Sequence, residues 1–184
     1  MRLQQIREHF GDRVSIKWQP FALRPQYDPS PLQFKDSYVE KAWKRASSLA
    51  EPEKLSYTMW PHEEFPRWSM PGLEAGVAAQ RQGEELFLRF HTQLFNAFFI
   101  ESKSIIEKET FVTVARECGL DMTTFLRDIE DKAFQESVRQ QCVDAVDTYL
   151  VSAVPTVIIG GKKRQIGMVP AEAYWQDLAE LGIG

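Results

Sequence analysis

The sequence predicts an α/β chain whose small sheet and flanking helices come from its two ends, with a long helical block between them. Three observations carry this. Val14, Ile16 and Trp18 alternate with Ser15 and Lys17, the period of a half-buried strand. Thr156-Val157-Ile158-Ile159 is followed by Gly160-Gly161 and Arg164-Gln165-Ile166, two short strands joined by a hairpin turn. Between these stretches, apolar residues recur at helical spacing.

Taken in order, Leu3, Ile6, Arg7 and Phe10 have the helical period, and Gly11 stands where a C-terminal cap belongs. A strand is expected from about Val14 to Leu23, with Pro20 marking an edge or an end. Residues 24–31, with three prolines and an Asp, read as a loop. A weakly patterned helix is expected from Leu32 to Leu49. Residues 51–71 are too rich in proline and aromatics for a long regular element, and Ser69 is placed to cap the next helix, with Pro71 in its first turn. From Leu73 to Ile100 the pattern is helical with a break near Gly83. Leu86, Phe87, Phe90, Leu94, Phe95, Phe98 and Phe99 form a stripe that reads as core. Helices follow at Thr110–Cys118, Thr123–Ile129 and Asp131–Tyr149, then the hairpin, then a last helix from Pro170 to Leu181.

A length of 184 residues suits one domain, or a small core with an inserted subdomain, and 43% apolar residues are enough to bury it. Lys and Arg number 22 against 26 Asp and Glu, with no basic block, so phosphate-backbone binding and a nucleic-acid partner are excluded as expectations. No apolar run approaches a membrane span, and the charged first 20 residues do not read as a secretory signal, so a cytoplasmic protein with no membrane partner is expected. Cys118 and Cys142 fall within helical patterns and read as small buried hydrophobes; a disulfide between them is disfavoured in a reducing compartment. With three histidines at no ligand spacing, no metal is expected. Lys162-Lys163-Arg164 reads as a solvated hairpin tip. His62-Glu63-Glu64 lies in a loop without a partner at fixed spacing, which argues against acid–base chemistry.

Val154-Pro155-Thr156, followed by an apolar strand, a Gly-Gly turn and a Gly-x-x-Pro entry to the last helix, resembles the second half of a thioredoxin-like fold. With the aromatic helix after Glu84 and the Cys118-Gly119-Leu120-Asp121 helix end, the pattern over nearly the whole chain is similar to the DsbA-like family. It resembles in particular the FrnE-type branch and the neighbouring 2-hydroxychromene-2-carboxylate isomerases and kappa-class glutathione transferases. The resemblance implies a thioredoxin-like fold with an inserted helical subdomain: residues 1–30 and 150–184 as the core, 31–149 as the insertion. It also implies that Pro155 is cis and that Val154, Pro155 and Thr156 bind substrate by strand addition. Ala153 departs from the glycine common at its position in the family.

The family's opening strand and its Cys-x-x-Cys at the tip of the first helix have no counterpart in this sequence, which enters the first helix at once. The expected core therefore lacks its first strand and its catalytic residues. Three arrangements are open: the flanking strands close up, another chain donates a strand, or the opening strand is encoded upstream of Met1, which is the favoured expectation. A homodimer covering exposed strand edges is one prospect. The implied function is that of a thiol–disulfide oxidoreductase lineage acting on a protein or small-molecule thiol or disulfide, inactive in this form. The alternatives are a glutathione-dependent isomerase or transferase, with glutathione as its cofactor, and a non-catalytic peptide-binding module.

Overall fold

The computed structural model describes residues 2–51, 55 and 57–183. It comprises α1 (Arg2–Phe10), α2 (Tyr38–Ala50), α3 (Met70–Gln80), α4 (Glu84–Phe99), α5 (Lys108–Glu117), α6 (Met122–Glu130), α7 (Lys132–Asp147), β1 (Thr156–Ile159), β2 (Lys163–Ile166) and α8 (Ala171–Glu180). Two compact units form, residues 1–19 with 143–184 and residues 20–142. Among the described residues, no helix is long and apolar enough to cross a membrane.

In the first unit, α1 directs Ile6 and Phe10 against Tyr174 and Leu178 of α8, with Val157 and Ile159 of β1 packed on the same cluster. These two β1 residues share one face of the strand by the two-residue period. Gln165 on β2 extends the contact to α8, its Nε2 donating to Asp177 Oδ2 at 2.6 Å, and Lys163 pairs with Glu180. The hairpin turn needs φ > 0 at both central residues. Gly160 and Gly161 supply 57° and 68°, and a side chain at Gly160 would also meet Leu181 Cδ1 at 2.9 Å.

The strand expected from Val14 to Leu23 is not formed. Val14 is extended, with φ −127° and ψ 140°. Residues 14–19 also alternate between half-buried and exposed, as the sequence pattern demands, with Val14 packed on the α1–α8 cluster. Yet they join no ladder, and the sheet of the described residues is the two-stranded β1–β2 hairpin. Alternation specifies which side chains are buried; a strand also requires a neighbouring backbone to pair with. The closing-up of this segment onto β1 does not occur.

In the second unit, α3 is the central helix. Met70, Ala75, Ala78 and Ala79 are fully buried, and the three alanines let α4, α5 and α6 pack around it. Ser69 precedes α3, as expected, but its hydroxyl does not cap the helix. It accepts instead from the Arg24 N–H at 3.0 Å, while the Ser69 N–H donates to the Arg24 carbonyl at 2.9 Å. Helix α2 begins at Tyr38, not Leu32. Ser37 Oγ accepts from the Val39 and Glu40 amides, and the preceding residues are drawn off by pairing with the loop around Glu64: Phe65 N–H to Leu32 O at 2.7 Å, Phe34 N–H to Glu63 O at 3.1 Å.

A second core gathers Phe34, Val39, Trp43, Trp60, Phe65 and Phe98, with neighbouring rings at edge-to-face and tilted angles that suit their quadrupoles. Both buried indoles find acceptors, Trp43 at Thr58 O (3.0 Å) and Trp60 at Glu64 O (2.8 Å). Phe95 departs from the expected stripe: it is 49% exposed and lies beside His91, their ring centroids 4.6 Å apart.

Candidate functional site

The three residues singled out by the sequence, Val154, Pro155 and Thr156, lead from the α7 exit into β1. The Val154–Pro155 peptide bond is cis. The turn is pinned on both sides: Thr156 Oγ1 donates to Ala153 O at 2.6 Å, and the Gly167 N–H donates to Pro155 O at 2.8 Å. Val154 and Pro155 are exposed and Thr156 is half-buried.

The Gly167–Pro155 bond sets the phase of the ladder. In the register Thr156↔Ile166, Val157↔Gln165, Ile158↔Arg164 and Ile159↔Lys163, the residues that exchange bonds with β2 are Val157 and Ile159. Thr156 and Ile158 therefore turn their backbone N–H and C=O groups to the other edge of β1, which no described strand covers. Arg164 fixes the hairpin to the chain leaving α7, its guanidinium donating to the carbonyls of Leu150 (2.7 Å) and Tyr149 (2.5 Å). The basic hairpin tip is thus structural at Lys163 and Arg164 rather than merely solvated. An extended chain laid along this edge would meet fixed backbone donors and acceptors at alternate residues.

No side chain at this site can serve as a redox nucleophile. Cys118 ends α5 and Cys142 lies in α7; both are free and buried. Burial pushes both thiols up, against the smaller opposing pull of Arg89 on Cys118 and of the Ala22 N–H on Cys142. A reactive cysteine needs the opposite shift. Their burial agrees with the sequence reading.

His62-Glu63-Glu64 likewise does not assemble an acid–base pair. His62 Nε2 lies 3.1 Å from the Ser102 carbonyl, Glu63 contributes its carbonyl to the pairing with Phe34, and Glu64 reaches Arg67 only at 3.5 Å. Of the aromatic segment 57–68, Trp60 and Phe65 are core of the second unit, while Trp68 sits against Tyr27. Sequence reasoning missed Glu74. This carboxyl lies on the buried face of α3, and burial raises its pKa against the pull of Arg139. Its place among Met70, Ala75 and Ala78 was the available signal.

Comparison with known proteins gives three findings. The chain is 29% identical over 153 residues to YwbO, an uncharacterized protein of Bacillus subtilis (strain 168), covering 82% of this chain and 74% of that one. Its fold matches the crystal structure of a provisionally named protein disulfide isomerase from Nitrosomonas europaea, with a TM-score of 0.78 at 17% identity, over 97% of this chain and 87% of the other. It also matches the probable DsbA oxidoreductase SCO1869 from Streptomyces coelicolor, with a TM-score of 0.75 at 20% identity, over 97% and 81% of the two chains. At these identities the structural matches speak for the fold. The sequence profile of the DSBA-like thioredoxin domain matches residues 1–180, so the chain belongs to the DSBA-like thioredoxin domain family.

Proposed function

We propose that this chain carries the substrate-strand half of a thiol–disulfide oxidoreductase site. Val154, Pro155 and Thr156 receive an extended disulfide-bearing peptide by backbone pairing along the uncovered edge of β1. The observation that carries this reading is the pinned, exposed turn leading into a strand with an unpaired edge. Strand addition gains its affinity from main-chain hydrogen bonds and its selectivity from the pockets beside them. The chain's own cysteines take no part: each is buried, with its thiol pushed the wrong way for exchange. The sequence contains no Cys-x-x-Cys. The residues present bind and orient, and on their own do not reduce or isomerise a disulfide.

The test has two arms. An insulin-reduction assay with dithiothreitol should show no rate above the uncatalysed background; turnover that survives replacement of reagents and repurification refutes the inactivity. In an amide NMR titration, an extended disulfide-bearing peptide should shift Val154, Thr156 and Ile158, while reduced glutathione should not. Shifts at these positions with glutathione alone would move the reading to the glutathione-dependent isomerases and transferases. Silence at Val154, Thr156 and Ile158 with every probe would refute the site.

A cytoplasmic setting, the FrnE-type branch and pairing of two copies belong to the same proposal. Two free cysteines suit a reducing compartment, and an uncovered strand edge favours self-association. Light scattering on the purified chain reads the last directly.

A further inference from the structure

The helical unit of residues 20–142 contains a groove of about 560 Å³, lined by Trp60, Phe65, Arg67, Ser102, Glu107 and neighbouring residues. It shares no residue with Val154–Thr156. We propose that it binds a small-molecule carboxylate with an apolar body.

The lining chemistry is lopsided in a way that selects such a ligand. Its unmatched buried polar groups are a hydroxyl that can donate, Ser102 Oγ, and a nitrogen that can only donate, Arg67 Nε. Ser102 is 6% exposed, and its hydroxyl has no hydrogen-bond partner. It occupies a left-handed conformation (φ 56°) at the C-terminus of α4, where the Lys103 N–H closes onto Ala97 O at 2.8 Å. Glycine would satisfy that backbone without burying a hydroxyl. Arg67 Nε is also buried without a partner, and the ends of its guanidinium reach Glu64 and the Tyr27 hydroxyl only at 3.5 Å.

Helix α5 opens on the same groove through Ile106, Glu107 and Thr110, and no side chain caps it at Glu107. The N–H groups of Lys108 and Glu109 lie in the first turn, where negative charge is favoured, while the Thr110 N–H is already bonded to Glu107 O at 3.1 Å. A buried unpaired donor is costly, so an acceptor-rich ligand is stabilised where several converge. A carboxylate offers two oxygens and matches the fork of an arginine. Trp60, Phe65 and Pro66 supply the apolar wall for the rest of the ligand, and the volume is that of a small-molecule site.

Three carboxylates also face the groove. Glu101 is paired with Lys103 at 2.6 Å, and Glu64 shares Arg67. Glu107 is exposed at the rim, where it opposes an incoming anion. The ligand's affinity is therefore held down by Glu107, and Glu107→Gln tightens binding.

The experiment titrates the full chain with benzoate, with benzamide and with acetate, reading the Trp60 indole N–H, the Arg67 Nε–H and the Lys108 and Glu109 amides by NMR. Benzoate should give saturable shifts at all of these, benzamide should not, and acetate should bind more weakly than benzoate. Ser102→Gly, which suits the local backbone, should keep the fold and weaken benzoate about fivefold; Arg67→Lys should weaken it about tenfold, the equivalent of one charge-assisted hydrogen bond. Equal shifts with benzamide, no saturable shift with benzoate, or unchanged affinity in a folded Ser102→Gly variant would each overturn the proposal.

Discussion

Glu74 illustrates how one residue's surroundings set its chemistry. Its carboxyl is 6% exposed on α3, and desolvation raises its pKa while Arg139 pulls it down. A carboxyl with a raised native pKa binds more protons folded than unfolded, so its contribution is fully present below the unfolded pKa. That contribution is lost as pH rises through the native one. Glu74→Gln should therefore be more stable than the parent at pH 8, with the gap closing towards pH 4 in urea melts; a gap independent of pH would sink this. The same carboxylate raises the Cys142 thiol, whose burial already disfavours the thiolate. Cys118 and Cys142 should both resist Ellman's reagent in the native chain at neutral pH and react within seconds in denaturant. Fast native labelling of either would show that burial does not control it. Ser102 adds a third case: relief of its left-handed strain by glycine should raise stability by about 1 kcal/mol in a denaturant melt. A loss of stability would mean that its hydroxyl is satisfied in solution.

Among the elements, α3 and α6 are joined by a charge that reaches the interior. Asp128 on α6 is 3% exposed, lies 3.0 Å from Arg81 at the end of α3, and accepts from Arg127. Both arginines are themselves more than half exposed and remain hydrated if the carboxylate is lost. Asp128→Ala should accordingly cost about 1–2 kcal/mol, less than the removal of a partner from a fully buried pair. A cost above about 4 kcal/mol in a urea melt would mean the pair is not hydrated as drawn.

Elements that depend on local chemistry were legible in the sequence. The Gly160-Gly161 turn, the Gly83 break and the Pro170 entry to α8 are all formed where the residues place them. The failures share a physical cause. Val14–Leu23 has a strand's side-chain alternation but no neighbouring backbone, and Leu32–Asp36 has a helix's composition but is claimed by long-range bonds to residues 63–65. Partners distant in sequence leave no local trace. The cis turn at Pro155 was legible through the proline and its following hairpin, whereas the groove beside Ser102 was not: nothing in a serine's neighbours announces that its hydroxyl is buried and unpaired.

At the scale of the whole chain, the two units differ in how they are built. Residues 20–142 form a continuous segment whose core includes Met70, Phe90, Phe125 and Val138, all completely buried. Residues 1–19 and 143–184 meet only if that segment's ends are held near one another, and their cluster rests on Ile6, Phe10, Tyr174 and Leu178. Joining two chain ends across a long flexible loop carries a loop-closure entropy that grows with the logarithm of its length. Folding of the intervening segment replaces that loop with fixed structure and reduces the cost. The discontinuous unit is therefore the less stable one, and its opening is a sub-global event that leaves the helical unit intact. Native-state hydrogen exchange should show the amides of β1, β2 and α8 exchanging together, ahead of those of α3 and α4. Leu178→Ala, which leaves a cavity worth about 2–5 kcal/mol, should accelerate the first group and leave the second unchanged. If both groups accelerate equally, the chain unfolds as one cooperative body, and the hierarchy argued from its connectivity is wrong.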